Sequence, residues 1–337
     1  DELYNDHQCS GYCNPTLGDE VPVVSGSTTS GIDFVLAGGG RIDRSRPLAF
    51  AFDERPLQGY AGDTLASALL ANGVRIVGRS FKYHRPRGIL SAGVEEPSAL
   101  VTVGEGGRLE PNVRATLLPL SEGLRARSQN AWPSVRFDVG RLADAVHGLL
   151  PPAFYHKTFM WPGWHSFEGA IRRAAGLGPA RTQADPDRYD VQNGTCDVLV
   201  VGAGPAGLAA ALEAARAGAR VWLIEQDVDL GGSVLSEPQA SAAEQNIWVV
   251  GAASSLESSP NVRVLLRTTC AGIYDHGVVA AVERLSDTVT GASPVLRERY
   301  WRIRAAQIVL ATGAIEQPAV FAMNDLPGVM LAGSVRQ

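Results

Sequence analysis

Cysteine is scarce: only Cys9, Cys13, Cys196 and Cys270 occur in 337 residues. So few and so scattered, they exclude a disulfide framework for a chain of this length, and they fit a reducing cytosol. An excess of one charge sign is missing too. Lys and Arg number 30 against 35 Asp and Glu, a formal net charge of -5, without the basic surplus of a nucleic-acid binder. Long apolar runs are absent. The longest, Leu199–Leu212, is broken by three glycines and a proline and ends at Glu213, too short to span a bilayer. No charged-then-apolar leader opens the chain, and its first residue is Asp, as in a processed or partial sequence. A hydrophobic fraction of 45% excludes wholesale disorder. The expectation is a cytoplasmic protein with no membrane and no nucleic-acid partner.

Length predicts two domains, at about 150 residues each. Residues 1–40 read as a tail closed by Gly38-Gly39-Gly40. Within it Cys9 and Cys13, near His7, lack the second ligand pair that a zinc site needs. Residues 41–130 predict a small α+β roll. Its parts are a strand at Leu48–Phe52, a turn at Asp53-Glu54-Arg55-Pro56 and a helix over Leu65–Asn72. Asp63-Thr64 caps that helix and Gly73 ends it; a strand at Leu100–Val103 and a turn at Gly104–Gly107 follow. The run Gly78–Gly88 carries Arg79, Lys82, His84, Arg85 and Arg87 beside Phe81 and Tyr83. In an acidic chain it reads as a solvated or subunit-contacting loop, and nothing marks His84 as a base. Residues 131–195 form a proline-rich connector with a helical stretch at Val139–Leu150. Its aromatics Phe154, Tyr155, Phe159, Trp161, Trp164 and Phe167 either pack between domains or face a cofactor or subunit.

Residues 196–337 alternate strand and helix. Asp197–Val201 is an apolar, β-branched run, as in a strand buried on both faces. Gly202-Ala203-Gly204-Pro205-Ala206-Gly207 follows at once, then a helix over Ala206–Ala217 ending at Gly218, a strand at Arg220–Ile224, and Glu225 with Gln226 beside it. Each glycine has a steric task. Gly202 turns the chain out of the strand, Gly204 lets backbone approach a pyrophosphate, and Gly207 brings the helix close to the sheet. The helix N-terminus offers amide hydrogens and its positive dipole end to phosphates. Glu225 stands where a carboxylate accepts from ribose hydroxyls and repels a 2′-phosphate, favouring NAD or FAD over NADP. Gly231-Gly232-Ser233 and Thr312-Gly313, which ends the strand Gln307–Ala311, are placed for further close approaches to the same nucleotide. No paired-cysteine motif follows Gly231-Gly232, so a dithiol redox centre is not expected.

From about Gly39 onward the chain resembles the N-terminal third of the α subunits of heterotetrameric sarcosine oxidases. The resemblance rests on Gly40–Ser45, Gly78–Gly88, Phe154–Trp161, Val200–Gly207 and Val309–Gly313 in that order. It implies an α/β fold: an FAD/NAD(P)-binding Rossmann-like domain, incomplete at its C-terminus, preceded by a degenerate ferredoxin-like α+β domain over 41–130. Related amine dehydrogenases and cyanide synthases hold a 2Fe-2S cluster in that first domain. A plant-type cluster takes thiolates at C-x4-C-x2-C and one further on. The matching positions here are Ser91, Glu96, Ala99 and Thr116, none of them cysteine, so the expectation is no iron–sulfur cluster.

The resemblance also implies an assembly with β, γ and δ subunits that oxidises sarcosine to glycine with oxygen and tetrahydrofolate. In such assemblies FMN and FAD sit on the β subunit, and NAD sits in the fold read here. The folate site lies in the C-terminal part of the α subunit, beyond this chain, and no catalytic residue is assigned to the chain. Three readings remain open. The chain is the NAD-binding portion of such a complex, an FAD-binding subunit of an amine, opine or proline dehydrogenase or a free-standing FAD/NAD-dependent reductase, or a scaffold without ligand. A free-standing reductase needs a second dinucleotide loop, which this sequence does not show.

Overall fold

The computed structural model describes residues 2–3, 7–8, 41–145, 159–174, 176–236, 239–287 and 293–336. Most of the expected tail, with Cys9 and Cys13, the aromatics Phe154 and Tyr155, and the helical stretch past Ala145 lie outside the described residues. Strands β1 (Glu2–Leu3) and β2 (His7–Gln8) pair antiparallel. The chain folds as two compact units. One takes Ile42–Asp190, Arg284–Arg299 and Ala314–Gln337; the other takes Asp1–Arg41, Val191–Glu283 and Tyr300–Gly313.

In the first unit, β3 (Asp43–Phe52) and β4 (Arg55–Ala61) form a hairpin in which Phe50 opposes Leu57. The turn residues Asp53 and Glu54 have φ of 49° and 65°. That is the left-handed pair of a two-residue primed turn, whose twist matches the strands. The sequence predicts a longer turn through Pro56, because neither residue is the glycine or asparagine that usually signals this geometry. Helix α1 (Leu65–Ala71) starts as expected: Thr64 accepts from the Ser67 amide and the Ser67 hydroxyl accepts from the Thr64 amide, a reciprocal cap. Its apolar face, Leu65, Ala66, Ala68 and Leu69, is buried.

The short strands β5 (Gly78–Arg79) and β6 (Pro86–Arg87) pair antiparallel. With β7 (Leu100–Val103), β8 (Glu110–Arg114) and β9 (Leu124–Ser128), the hairpin makes a five-stranded sheet ordered β4-β3-β9-β7-β8, with β3 and β9 parallel. Alternate residues Phe50 and Phe52, Val101 and Val103, and Leu124 and Ala126 turn inward on one core with α1. Helices α2 (Leu142–Ala145) and α3 (His165–Ala174) belong to the connector. There the Phe159 and Phe167 rings meet at a 48° tilt with centroids 5.0 Å apart, and Trp161 and Trp164 are exposed. The buried Arg108 guanidinium grips Asp187 through Nε and Nη2 at 2.9 and 2.6 Å and holds its carboxyl below the usual range.

The second unit is a six-stranded mixed sheet. Its strands are β10 (Arg188–Val201), β11 (Val221–Ile224), β12 (Val262–Leu265), β13 (Thr268–Tyr274), β14 (Val278–Arg284) and β15 (Leu296–Leu310), ordered β12-β11-β10-β15-β14-β13. β10, β11 and β12 run parallel, so crossovers join them: α4 (Pro205–Arg216) and α5 (Gln239–Glu257). The β-branched run read from the sequence is only the inner end of β10. Side chains alternate across the sheet. Val200, Val221 and Leu223 meet Leu208, Ala211 and Leu256 of the helices on one face, and Leu199, Val201, Trp222 and Ile224 meet Trp301 and Ile303 on the other. Among the described residues no helix is long and apolar enough to cross a membrane.

Asp197 ties β10 to the entry of β11. Its carboxylate accepts from the Arg220 amide at 2.8 Å and from the Arg220 guanidinium at 2.7 and 3.1 Å. These bonds pull its pKa from 3.8 down to about 2. A depressed carboxyl stabilises the fold above its unfolded pKa and stops doing so as pH falls through the folded value. The expected result is that wild type melts above Asp197→Asn at neutral pH and that the gap closes between pH 4 and pH 2. Melting curves across that range, with an unchanging gap as the opposing outcome, check it.

Candidate functional site

The loop after β10 is built by steric necessity. Gly202 takes φ of +97°, and a Cβ there would lie 2.4 Å from the Ala311 carbonyl oxygen. A Cβ on Gly207 would lie 1.9 Å from the Gly202 carbonyl oxygen, so only glycine lets α4 start this close to the strand. Gly204 differs. Its φ of -68° suits any residue, and a Cβ there meets nothing within 4 Å. It is the N-cap of α4, has no side-chain capping bond, and is followed by Pro205 at the first helical position. The first-turn amides of Ala206 and Gly207 have no partner within the helix by its geometry. Open space over a helix N-terminus, kept clear of a side chain, is the kind of place where free amides can meet a phosphate.

Glu225 stands at the end of β11, buried. One carboxylate oxygen accepts from the Ala203 amide at 2.7 Å and the other from the Asp227 amide at 3.0 Å. Its backbone bridges Leu265 and Thr268 at 2.9 and 2.7 Å. The carboxylate is thereby fixed in direction, and each oxygen keeps further acceptor capacity for hydroxyl groups. Gly231 donates to the Ala203 carbonyl at 2.9 Å. Gly232, at φ of +56°, leaves room for only 2.8 Å between a would-be Cβ and Gly204 Cα. Ala311 donates to Val201 at 2.8 Å, which sets Thr312 beside Gly202. The structure therefore brings Gly202, Ala203, Gly204, Pro205, Ala206, Gly207, Glu225, Gly231, Gly232 and Thr312 to one place. Gln226, Ser233 and Gly313 stand at exposed neighbouring positions.

Two features of this region escape the sequence. A cavity of about 480 Å³ opens between Pro205 and Ser233 on one side and Trp248 and Val249 of α5 on the other. Beyond Glu225, Asp227 and Asp229 are joined by Arg41, whose guanidinium bonds them at 3.0 and 2.9 Å. Burial works against the Arg41 charge, but the bonds to the two aspartates outweigh it and raise its pKa. Only the fold could reveal these pairs, since they join distant stretches of chain without a spacing rule.

In the first unit, the loop expected to match the cluster positions closes on Glu96. Ser91, Glu96, Ala99 and Thr116 are all buried. One Glu96 oxygen accepts from the amides of Leu90 and Ser91 at 2.8 and 2.7 Å, and the other from Ser98 and Ala99 at 2.6 and 2.8 Å. The Thr116 hydroxyl donates to the Gly93 carbonyl at 2.8 Å. Cys196 and Cys270 are free and lie in the other unit, and burial pushes the Cys196 thiol up to about 11. Among the described residues no group of three or more His, Cys, Asp or Glu could hold a metal ion.

Residues 45–131 match the family described as 2Fe-2S iron-sulfur cluster binding domain, and residues 196–336 match pyridine nucleotide-disulphide oxidoreductase. Sarcosine oxidase subunit alpha of Rhizobium meliloti is 56% identical over 88% of this chain and 31% of its own length. The subunit of the same name from Corynebacterium sp. is 41% identical over 88% of this chain and 27% of its own. The chain thus spans about a third or less of the curated relatives it matches. In fold it is similar to L-proline dehydrogenase from P. horikoshii, with a TM-score of 0.51 at 21% identity, covering 85% of this chain and 44% of that one.

The first match corrects one expectation. The missing cysteines predicted no iron–sulfur cluster, whereas the domain belongs by its pattern to a 2Fe-2S cluster-binding family. The reading weighed four side chains alone, while the family pattern is carried by the whole roll of sheet, helix and loop. At those four positions this chain presents a hydroxyl, a carboxylate, a methyl and a hydroxyl, and a thiolate at none. A 2Fe-2S-type domain followed by an FAD/NAD-binding oxidoreductase domain, at 56% identity over 88% of the chain, makes this protein a homologue of sarcosine oxidase α subunits.

Proposed function

We propose that the second unit holds a dinucleotide without a 2′-phosphate, NAD, as the cofactor-binding portion of a sarcosine oxidase-like complex. The open face of Gly204 over the N-terminus of α4 carries this reading. The pyrophosphate lies against Gly204, Pro205, Ala206 and Gly207. Glu225, held by the Ala203 and Asp227 amides, accepts from the adenosine ribose. Gly231, Gly232 and Ser233, with Gln226, Thr312 and Gly313, line the approach. Asp227 and Asp229 with the Arg41 that bridges them leave one net negative charge near Glu225, on the side that disfavours a 2′-phosphate.

Bound there, NAD supplies a nicotinamide able to accept hydride. This chain's own residues bind and orient it, and none is assigned to catalysis. Oxidation of sarcosine to glycine, with oxygen and tetrahydrofolate, is the work of the whole assembly. Its β subunit carries FMN and FAD, and γ and δ subunits complete it. The competing reading, FAD in the same loop of an amine, opine or proline dehydrogenase, is supported by the flavin- or nicotinamide-binding character of the matched family.

Denaturing the purified protein and chromatographing the supernatant separates these: released NAD supports the first reading, released FAD the second, and an empty supernatant refutes both. Glu225→Gln keeps one acceptor oxygen for the loop amides. It is expected to weaken NAD retention by about tenfold, the loss of one charge-assisted bond, with the melting temperature lowered by only about 4 °C or less. Unchanged occupancy in that variant removes Glu225 from the ribose site.

A further inference from the structure

Residues 132–142 of the first unit form a small hairpin that leads into α2. Pairing of Pro133 with Asp138 sets its register, so Trp132 opposes Val139 and Ser134 opposes Phe137. Its backbone is engaged within the hairpin. Val139 donates to the Trp132 carbonyl at 2.9 Å, Ser134 to the Phe137 carbonyl at 3.2 Å, and the Phe137 amide to the Ser134 hydroxyl at 3.1 Å.

Two buried side chains fasten this hairpin to the rest of the unit. Arg79 braces its tip. Nε and Nη2 donate to the Val135 carbonyl at 2.9 and 2.6 Å, and Nη2 to the Arg136 carbonyl at 3.3 Å. Asp138 holds its base. Oδ1 accepts from the Trp132 and Gly140 amides at 3.0 and 3.1 Å, and Oδ2 meets His84 Nδ1 at 2.6 Å. The run Gly78–Gly88, expected to be a solvated or subunit-contacting loop, is therefore divided: Arg79 lies inside, under the hairpin, while Phe81 is exposed.

What the hairpin shows to solvent is apolar. Trp132, Phe137 and Leu142 are each 71% exposed, and Val139 is exposed as well. Alternation puts Trp132, Phe137 and Val139 on the face opposite the buried Asp138. Leu142 follows Val139 by one short helical turn. Arg136 at the tip and Arg141 at the foot are exposed. Among the described residues neither has an ion-pair partner, and the neighbouring acids are taken, Asp138 by His84 and Asp144 by Arg85.

A loop that meets only water has no need of a buried guanidinium and a buried carboxylate to fix it, and its exposed rings order water at a cost. A fixed aromatic face with arginines at its margin has the composition of an interface centre. Holding that face in one conformation before contact removes an ordering cost from association. Charge then selects the partner. A second copy of the chain, related by a two-fold axis, would bring arginines onto arginines with no free carboxylate to answer them. An acidic partner answers both.

We propose that residues 132–142 are a docking surface for a partner subunit whose facing side holds an apolar pocket rimmed by carboxylates. This rests on the reading of the chain as part of a multisubunit complex, and it assigns the contact to one braced loop.

The test co-expresses the tagged full-length polypeptide with the β, γ and δ subunits and follows the assembled fraction by sedimentation velocity across dilution and salt. Phe137→Asp and Trp132→Asp are each expected to weaken assembly by at least ~10-fold, the scale of an interface anchor. Replacing Arg136 and Arg141 together by Gln should flatten the salt dependence seen with wild type. All four positions are exposed, and circular dichroism verifies that the variants fold. No assembly by wild type would refute the complex itself and this contact with it. Assembly by wild type that both aspartate variants match, or salt dependence unchanged in the double glutamine variant, overturns the docking surface alone and leaves the complex standing. Two further results also overturn it: a dimer of the chain by itself that Phe137→Asp abolishes, which assigns the face to a second copy, and binding to phosphatidylserine vesicles that Phe137→Asp abolishes, which assigns it to a membrane.

Discussion

Gly204→Val is expected to abolish dinucleotide retention and to leave the domain folded. The backbone at Gly204 already has the conformation of an ordinary residue, and a Cβ there touches no protein atom within 4 Å. The fold puts no atom where a Cβ at this position would stand; the proposed pyrophosphate across the start of α4 would lie there. A branched side chain would stand between the helix N-terminus and the pyrophosphate and lengthen every amide–phosphate contact. An affinity loss of at least ~100-fold, about 2.7 kcal/mol, is the expected scale. The comparison with Gly207→Ala sharpens it. There a Cβ would strike the Gly202 carbonyl oxygen at 1.9 Å, and the variant should lose fold and ligand together. Circular dichroism with quantification of bound nucleotide on both variants separates a steric block from unfolding. Normal occupancy in Gly204→Val would refute the phosphate cradle.

Glu96→Ala is expected to unfold the first unit under conditions where wild type is stable. Four backbone amides converge on this carboxylate, and Glu96 itself is 1% exposed. Leaving one buried amide without an acceptor costs about 1–3 kcal/mol. Four at once, even with partial hydration of the hole, should lower stability by at least ~3 kcal/mol, a large share of a domain's total. Glu96→Gln separates charge from shape. It keeps one oxygen but places an NH2 group against two amide donors, so it should lie between alanine and wild type. Urea unfolding followed by a probe in the first unit measures both, and a shift below ~1 kcal/mol for alanine would refute the role given to this side chain.

The glycine loop was legible because its order and spacing follow a fixed turn. Gly207 is forced by the Gly202 carbonyl oxygen, 1.9 Å from a would-be Cβ and close in sequence, whereas the oxygen that forces Gly202 belongs to the distant Ala311. Glu225 was legible for a related reason: the end of the second strand falls at a set distance from the first. The capped helix Leu65–Ala71 obeyed the same local logic. Glu96 was not legible as what it is. Its partners are main-chain amides, which every residue carries, so no side-chain pattern marks them. Arg108 with Asp187 and Arg41 with Asp227 join through tertiary folding alone.

The bond from Ala311 to Val201 has a consequence for how the protein is made. The ribosome releases the glycine loop long before it releases β15, which flanks β10 in the finished sheet. Until that late strand arrives, Gly202 has no carbonyl at its back and β10 has one open edge. The nascent loop is then free to sample turns that the completed sheet forbids. The close packing at Gly202 is consequently a late product of vectorial folding, complete only once residue 311 is in place.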